Sequence, residues 1–427
     1  MNQSSQIFSL HNVKRSFERS KKSSIFAFII NIKMAQNTLS DFIQEHLKDD
    51  VRKLALETCK YPDIDMKEAL RQIAGRQRIE EKVPTWYANE GILLPDHLPL
   101  EQCSSEMTAR FKASLIRGDT LTDLTGGLGI DCSFLAEGFR AVTYVERQEE
   151  LCRLARHNFA ILGLSHIHVV EGDGVDYLQT MTPCDCIFLD PARRDGQGKK
   201  TVVLEDCEPD VTSIKSLLLE KAPNVMIKLS PMLDVTAALR SLGQVAAMYI
   251  LAVRNECKEL VAVLSRDFTG EAAIHCVNLL KESSAQEFSF TFGKEHISEC
   301  HWATSLKKYL YEPNVAVMKA GAFRTLSSQF QVEKLHPNSH LYTSDRYEAA
   351  FPGRIFVVEE WCAINKVKQC TSLKGVSQAN VAVRNFPLSA EELKKRLKLK
   401  DGGEKYLFGT TTYDNQKILI CTKKKEA

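Results

Sequence analysis

Leu121-Thr-Asp-Leu-Thr-Gly-Gly-Leu-Gly-Ile-Asp131 and Phe188-Leu-Asp-Pro-Ala-Arg-Arg-Asp195 decide the fold. In the first stretch an apolar run reaches an acid, Asp123, and breaks into a turn holding Gly126, Gly127 and Gly129. In the second an apolar run ends on Asp190-Pro191. Between them, residues 141–145 close on Glu146 and residues 167–170 lead to Asp173. Each is a short apolar run stopped by an acid or a glycine and followed by an amphipathic stretch. That rhythm predicts parallel strands joined by crossover helices.

Working outward, strands are expected at 121–124, 141–145, 167–170, 186–189, 225–229, 246–253 and 260–264. Helices are expected at about 129–138, 147–162, 173–180, 208–221 and 234–242. The last two strands are close enough to pair antiparallel. The fold class is therefore α/β with a Rossmann-like sheet. Residues 40–118 read as helices: Ser40 can cap the first, and the spacing from Asp65 predicts a helix ending at Gly75. Beyond 270 the composition changes, and 287–292, 314–317 and 354–358 read as short strands. Near the end, Ser389-Ala-Glu-Glu392 opens a helix through a capping box. That helix runs over 391–399 to a stop at Gly402-Gly403, and a hairpin turning at Tyr413 follows.

Composition sets the class. The 427 residues exceed one typical domain. Thirteen Cys without paired CxxC spacing read as reduced thiols of a cytoplasmic protein, and scattered His gives no metal pattern. No apolar run reaches membrane-span length. Residues 1–33 carry a basic start and a short apolar run with no cleavage pattern. They read as a disordered or over-called extension ahead of Met34. The net charge of +2 conceals an asymmetry. From residue 361 onward, 14 Lys and Arg face 6 Asp and Glu; from 119 to 267, 15 face 22. A basic tail on an acidic body points to an anionic partner, with RNA first.

The glycine turn lacks the third glycine of the dinucleotide fingerprint, because Cys132 occupies that place. The acids at successive strand ends instead resemble the class I S-adenosylmethionine (SAM) methyltransferases. That resemblance implies that Asp123 faces the cofactor's ammonium, beside Gly126, Gly127 and Gly129. Glu146 takes the ribose hydroxyls, Asp173 the adenine amine, and Asp190 closes the pocket. It also makes Asp190, Pro191 and Arg193 the catalytic loop, with Arg194, Lys228 and Glu256 as candidate substrate contacts. Uracil C5-methyltransferases have a similar Asp-Pro-Pro-Arg loop but need a cysteine at the next strand end. Leu229 stands there, which leaves nitrogen methylation favoured.

The chain from Met34 further resembles bacterial methyltransferases with a ferredoxin-like segment and a carboxyl-terminal THUMP-like domain. The residues that carry this are Gln102-Cys-Ser-Ser-Glu106, the two stretches quoted first, Tyr311-Glu-Pro-Asn-Val315 with Lys319-Ala-Gly-Ala-Phe323, and Val381-Ala-Val-Arg-Asn-Phe-Pro-Leu388 through Tyr406-Leu-Phe-Gly-Thr410. The implied organisation is a helical region at 34–118, a methyltransferase domain at 119–270, a ferredoxin-like segment at 271–350 and a THUMP-like basic domain at 351–427. THUMP modules imply tRNA as partner. The expected activity is SAM-dependent methylation of a base nitrogen in RNA. The alternatives are a protein or small-molecule methyltransferase, and an RNA-binding protein with a vestigial methyltransferase fold.

Overall fold

A computed structural model describes residues 39–193, 203–281 and 284–425. The chain divides into two compact units. The first runs to Glu106 and includes 127–130 and 148–165. The second holds the rest, from Met107. The expectations for residues 1–33 and for Arg194 fall outside the described residues.

The first unit is helical. Residues 39–45 form a helix whose apolar face, from Leu39 through Phe42 and Ile43, packs on Leu54, Met66 and Ile73. Ser40 therefore lies inside this helix rather than capping it. Asp65 does cap the helix Met66–Lys82, accepting from the Glu68 N–H at 3.1 Å. Gly75 does not end that helix. A Cβ there would stand 2.9 Å from the Leu94 side chain, so the glycine admits a close neighbour. Buried Asn158 and Gln72 each make a two-way bond to backbone, to Leu93 and Leu94 respectively.

The second unit carries a nine-stranded sheet. Its strands are β1 (Gly118–Asp123), β2 (Phe139–Glu146), β3 (Ile167–Glu171), β4 (Cys186–Leu189), β7 (Asn224–Leu229), β8 (Val245–Val253), β9 (Glu256–Ser265), β10 (Ala273–Lys281) and β11 (Ser284–Phe290). Ala192–Arg193 (β5) and Cys207–Glu208 (β6) form a separate antiparallel pair. The order is β11-β10-β8-β9-β7-β4-β1-β2-β3. Strands β3, β2, β1, β4 and β7 are parallel, and β9 runs against both β7 and β8. The expected hairpin is thus present, and tighter than expected. Arg254 and Asn255 turn it alone, both at positive φ (50° and 64°), the geometry of a type I′ turn.

Strands β10 and β11 extend this sheet, so a boundary at 270 falls inside it. Phe288 and Phe290 pack in one core with Ile250 and Ile274, and also with Tyr311, Val317 and Tyr342 further along. The apolar faces of β10 and β11 need cover, and the following segment supplies it. Residues 314–317 do not form a strand. Asn314 caps the helix Val315–Ala320 by accepting two N–H groups, and left-handed Gly321 ends it.

A second sheet of seven strands follows: β12 (Tyr309–Pro313), β13 (Glu333–Lys334), β14 (Tyr342–Ser344), β15 (Gly353–Ala363), β16 (Asn380–Arg384), β17 (Lys405–Thr411) and β18 (Lys417–Lys424). Its order is β13-β14-β12-β15-β18-β17-β16. Strand β12 pairs with both β14 and β15, so one continuous sheet crosses the expected boundary at 350. The capping box at Ser389 and Glu392 is present. Its helix, Ala390–Leu397, ends on left-handed Lys398 (φ 57°), ahead of the two glycines.

Candidate active site

Parallel pairing brings the carboxyl ends of β2, β1, β4 and β7 side by side. Asp123 lies opposite Tyr144 and Phe188, and Leu189 opposite Ile227. This is the edge where open α/β sheets hold ligands. Asp123 is buried, and its carboxylate accepts from the Thr125 N–H at 3.0 Å. The Thr125 hydroxyl accepts from the Asp190 N–H at 2.6 Å, which ties the turn after β1 to the loop after β4. Gly126 donates to the Val145 carbonyl at 2.9 Å, and a Cβ on it would meet the Tyr144 ring at 2.3 Å. No other residue fits there. Gly127 and Gly129 come next with φ of 57° and 85°, which again favours glycine.

Glu146 ends β2 and is buried; its carbonyl accepts from the Gly172 N–H at 3.0 Å. Asp173 is exposed and caps the helix Gly174–Thr180, accepting from Val175 and Asp176 at 2.8 and 3.2 Å. Asp190 stands at the mouth, with its side chain 38% exposed. The Lys228 ammonium on β7 meets its carboxylate at 2.6 Å. Behind Lys228 the charges continue inward. Its nitrogen is 3.6 Å from Asp131, and Asp131 is 3.1 Å from Lys112, a residue with no exposed side-chain surface. Lys112 also contacts Glu259. The result is a chain of alternating sign running inward from half-buried Asp190: Asp190, Lys228, Asp131, Lys112, Glu259.

The electrostatics follow from burial and sign. Burial by itself would lower the Lys228 pKa. The carboxylates of Asp190, Asp131 and Glu259 outweigh it and hold the ammonium above its ordinary range. Asp123 is pushed well above the ordinary carboxyl value, first by burial and then by Asp131, Asp190 and Glu146 nearby. The Thr125 N–H opposes that shift. Among the described residues, this edge holds the carboxyls of Asp123, Asp131, Glu146, Asp190 and Glu259 against two lysines. A buried excess of negative charge suits a cationic ligand.

The sequence-predicted residues thus divide. Asp190 meets Lys228 directly, and Asp123 senses both Asp190 and Glu146. Lys228, expected on the substrate, is already committed to protein carboxylates. Glu256 begins β9 on the surface, 73% exposed and paired with Lys258 at 2.7 Å. Arg193 lies on β5, whose backbone pairs with β6. Sequence reasoning missed Lys112, Asp131 and Glu259. Their signal was charge inside apolar surroundings, as in Glu259-Leu-Val-Ala-Val263. Cys132, beside this cluster, is fully buried and its thiol is pushed up by burial. Among the described residues no group of three or more potential ligands could hold a metal ion, and no helix is long and apolar enough to cross a membrane.

A sheet with one reversed inner strand, a glycine turn and acidic strand ends defines a class I methyltransferase fold. Comparison with known proteins agrees. Residues 102–195 match the protein-L-isoaspartate(D-aspartate) O-methyltransferase family, 309–352 a ferredoxin-like domain and 353–424 the THUMP domain-like family. A crystal structure assigned as a methyltransferase, from Porphyromonas gingivalis W83, is 37% identical; the match covers 91% of this chain and 98% of that one, with a TM-score of 0.83. Uncharacterized SAM-dependent methyltransferases from two Mycobacterium tuberculosis strains are 25% identical over 307 residues, 70% of this chain and 80% of theirs. The chain belongs to the SAM-dependent methyltransferase family that carries ferredoxin-like and THUMP-like modules.

Proposed function

We propose that this methyltransferase acts on RNA, with tRNA the favoured substrate and a base nitrogen the target. The observation that carries this reading is the cationic surface of the THUMP-like module. Lys395, Arg396, Lys398 and Lys400 are exposed on and after its helix, and Lys423, Lys424 and Lys425 at its final strand. Exposed cations of this density bind phosphate backbones and lose affinity with added salt. Among the described residues, five cations of the module pair with carboxylates: Arg354 and Arg384 with Glu312, Lys405 and Lys423 with Glu359, and Lys394 with Glu391 and Asp401. The exposed cluster on the helix is not used in that way among the described residues.

The strand ends fit SAM. The cofactor is a net cation with a sulfonium and an ammonium, and the edge it would occupy has excess buried carboxylate. Asp123 would hold the ammonium, Glu146 the ribose hydroxyls and Asp173 the adenine amine while still capping its helix. Bound there, SAM supplies an electrophilic methyl group. The remaining work is positioning, because methyl transfer is an in-line displacement and orientation dominates its rate. Asp190 is held by Thr125 and Lys228 at the mouth, where its carboxylate and the Pro191 backbone can orient an amine or ring nitrogen. Lys228 fixes the Asp190 carboxylate through their 2.6 Å contact. Buried Cys132 offers no accessible thiolate, and Leu229 stands where carbon methylation needs one. Both support a nitrogen target.

The test is to delete the gene and map modified nucleosides in total RNA by mass spectrometry. Loss of one methylated base, restored by the wild-type gene and not by Asp190→Ala, is expected. An unchanged nucleoside profile together with a lost protein methyl mark would overturn the RNA reading.

A further inference from the structure

The second sheet has an aromatic cavity that the methyl-transfer site does not use. It is an open pocket of about 550 Å³, lined by Trp302, Phe323, Arg324, Lys334, Glu299 and Cys300 among others. Trp302 is 38% exposed, a large apolar ring left facing solvent. Tyr413, 54% exposed in the turn between β17 and β18, lies with its ring 5.3 Å from Trp302. The two rings, tilted 35° to each other, form an aromatic platform at the surface.

The cations are placed beside that platform. Lys334 is buried, with its ammonium 4.9 Å from the Phe323 ring centre and 5.9 Å from that of Trp302. It donates to the Pro337 carbonyl at 2.6 Å. Burial presses its pKa down, against the opposing pull of Cys300 and Glu295. Glu295 also lies close enough to favour the Lys334 charge, while its carboxylate takes the N–H groups of Phe323, Arg324 and Thr325 at 2.9, 2.7 and 2.8 Å. Arg324 adds an exposed guanidinium at the rim. Behind Phe323 the His340 ring stacks at 3.8 Å and is held neutral, pushed down to about 4 by burial and by Lys334 and Arg384. The back wall is therefore aromatic and uncharged.

An aromatic platform, a buried cation and a rim guanidinium are the parts of a nucleotide site: a ring for the base and positive charge for the phosphate. Glu299 at the rim can accept from an exocyclic amine. The cavity also sits at the seam of the two carboxyl-terminal modules. Asn385 meets His336 at 3.0 Å there, and Ser339 donates to the Thr411 carbonyl at 2.8 Å. A strand of RNA lying along the cationic THUMP-like surface could thus place one base in it.

We propose that this cavity receives one unpaired nucleotide of the RNA substrate, its base stacked on Trp302 beside Tyr413 and its phosphate facing Lys334 and Arg324. The proposal rests on the RNA reading above. Its test measures binding of the full-length protein to labelled penta-adenylate RNA and to a transcribed tRNA, in several salt concentrations. Trp302→Ala and Tyr413→Ala should each weaken both complexes by about 10-fold, and Trp302→Phe should restore most of the loss. Lys334→Met should weaken binding and lower the salt slope by roughly 1. SAM affinity should not move in any variant, which also reports that each is folded. Wild-type protein binding tRNA, with Trp302→Ala and Tyr413→Ala binding equally well, would overturn this inference alone. Wild-type protein binding neither RNA would overturn it together with the RNA reading. AMP binding as tightly as the pentanucleotide would also overturn it, in favour of a free-nucleotide site.

Discussion

Two charged regions of the second unit obey opposite rules. At the carboxyl edge of the nine-stranded sheet the charges are linked and run into the interior, from half-buried Asp190 through Lys228, Asp131 and Lys112 to Glu259. On the THUMP-like module they are exposed and positive charge is in excess. Buried charge must be neutralised inside the protein, and each member of the chain fixes its neighbours. Exposed charge costs little to keep and stays available to a partner. The comparison separates the part that sets reacting geometry from the part that gathers substrate.

The buried chain is the more fragile. Lys112→Met should leave Asp131 and Glu259 facing each other in the interior and destabilise the protein by about 3–5 kcal/mol. Urea unfolding would measure this, with Lys258→Met as the contrast. Lys258 pairs with Glu256 at the surface, so its removal should leave the midpoint unchanged. Equal midpoints for the two variants would erase the distinction.

Next in size is the cofactor contact. Glu146→Ala should weaken SAM binding roughly 10- to 100-fold, the effect of losing hydrogen bonds to a charged acceptor, without unfolding the protein. Unchanged affinity by calorimetry would remove Glu146 from the ribose assignment. On the exposed side, changing Lys395, Arg396, Lys398 and Lys400 together to Ser should cost RNA about 10-fold and flatten its salt dependence. SAM affinity should be untouched. Substitution is a cleaner probe than truncation near 350, because β12 pairs with β15 and a cut there opens the second sheet.

The smallest effect concerns pH. The Asp123 pKa is raised in the folded protein above its ordinary 3.8. A raised carboxyl favours folding fully below the unfolded value and loses that contribution as pH climbs through the folded value. The cofactor-free protein should therefore become less stable as pH rises from about 4, the unfolded carboxyl range. Asp123→Asn should raise the neutral-pH melting temperature by a few degrees, a gain that fades near pH 4. It should weaken SAM binding at the same time. A variant no more stable than wild type at neutral pH would mean that a fixed charge already neutralises Asp123.

Much of the methyltransferase sheet was legible in the sequence, because its signals are local. A strand that ends on Asp123 before three glycines, or on Asp190 before a proline, declares both its end and the turn beyond it. The reversed β9 showed in the short Arg254–Glu259 stretch between the last two strands. The illegible parts depended on contacts distant in sequence. Gly75 reads as a stop, but its missing Cβ makes room for Leu94. Residues 314–317 read as a strand because three are β-branched or small, yet the Asn314 cap and Gly321 close a helix around them. The extension of the sheet by β10 and β11 escaped notice because the covering residues, Tyr311 and Val317, come later. Asp190 could be named from its motif. Its partner Lys228, and the Asp131–Lys112–Glu259 chain behind it, are joined only by folding.

The measurement that bears most directly on the central claim is transfer of a labelled methyl group from SAM to unmodified tRNA transcripts, run beside a protein pool. Asp190→Ala is the control. The account predicts label in tRNA with the wild-type protein, and at least about 100-fold less with Asp190→Ala although SAM still binds. Label confined to the protein pool, or transfer to tRNA undiminished by Asp190→Ala, would contradict it.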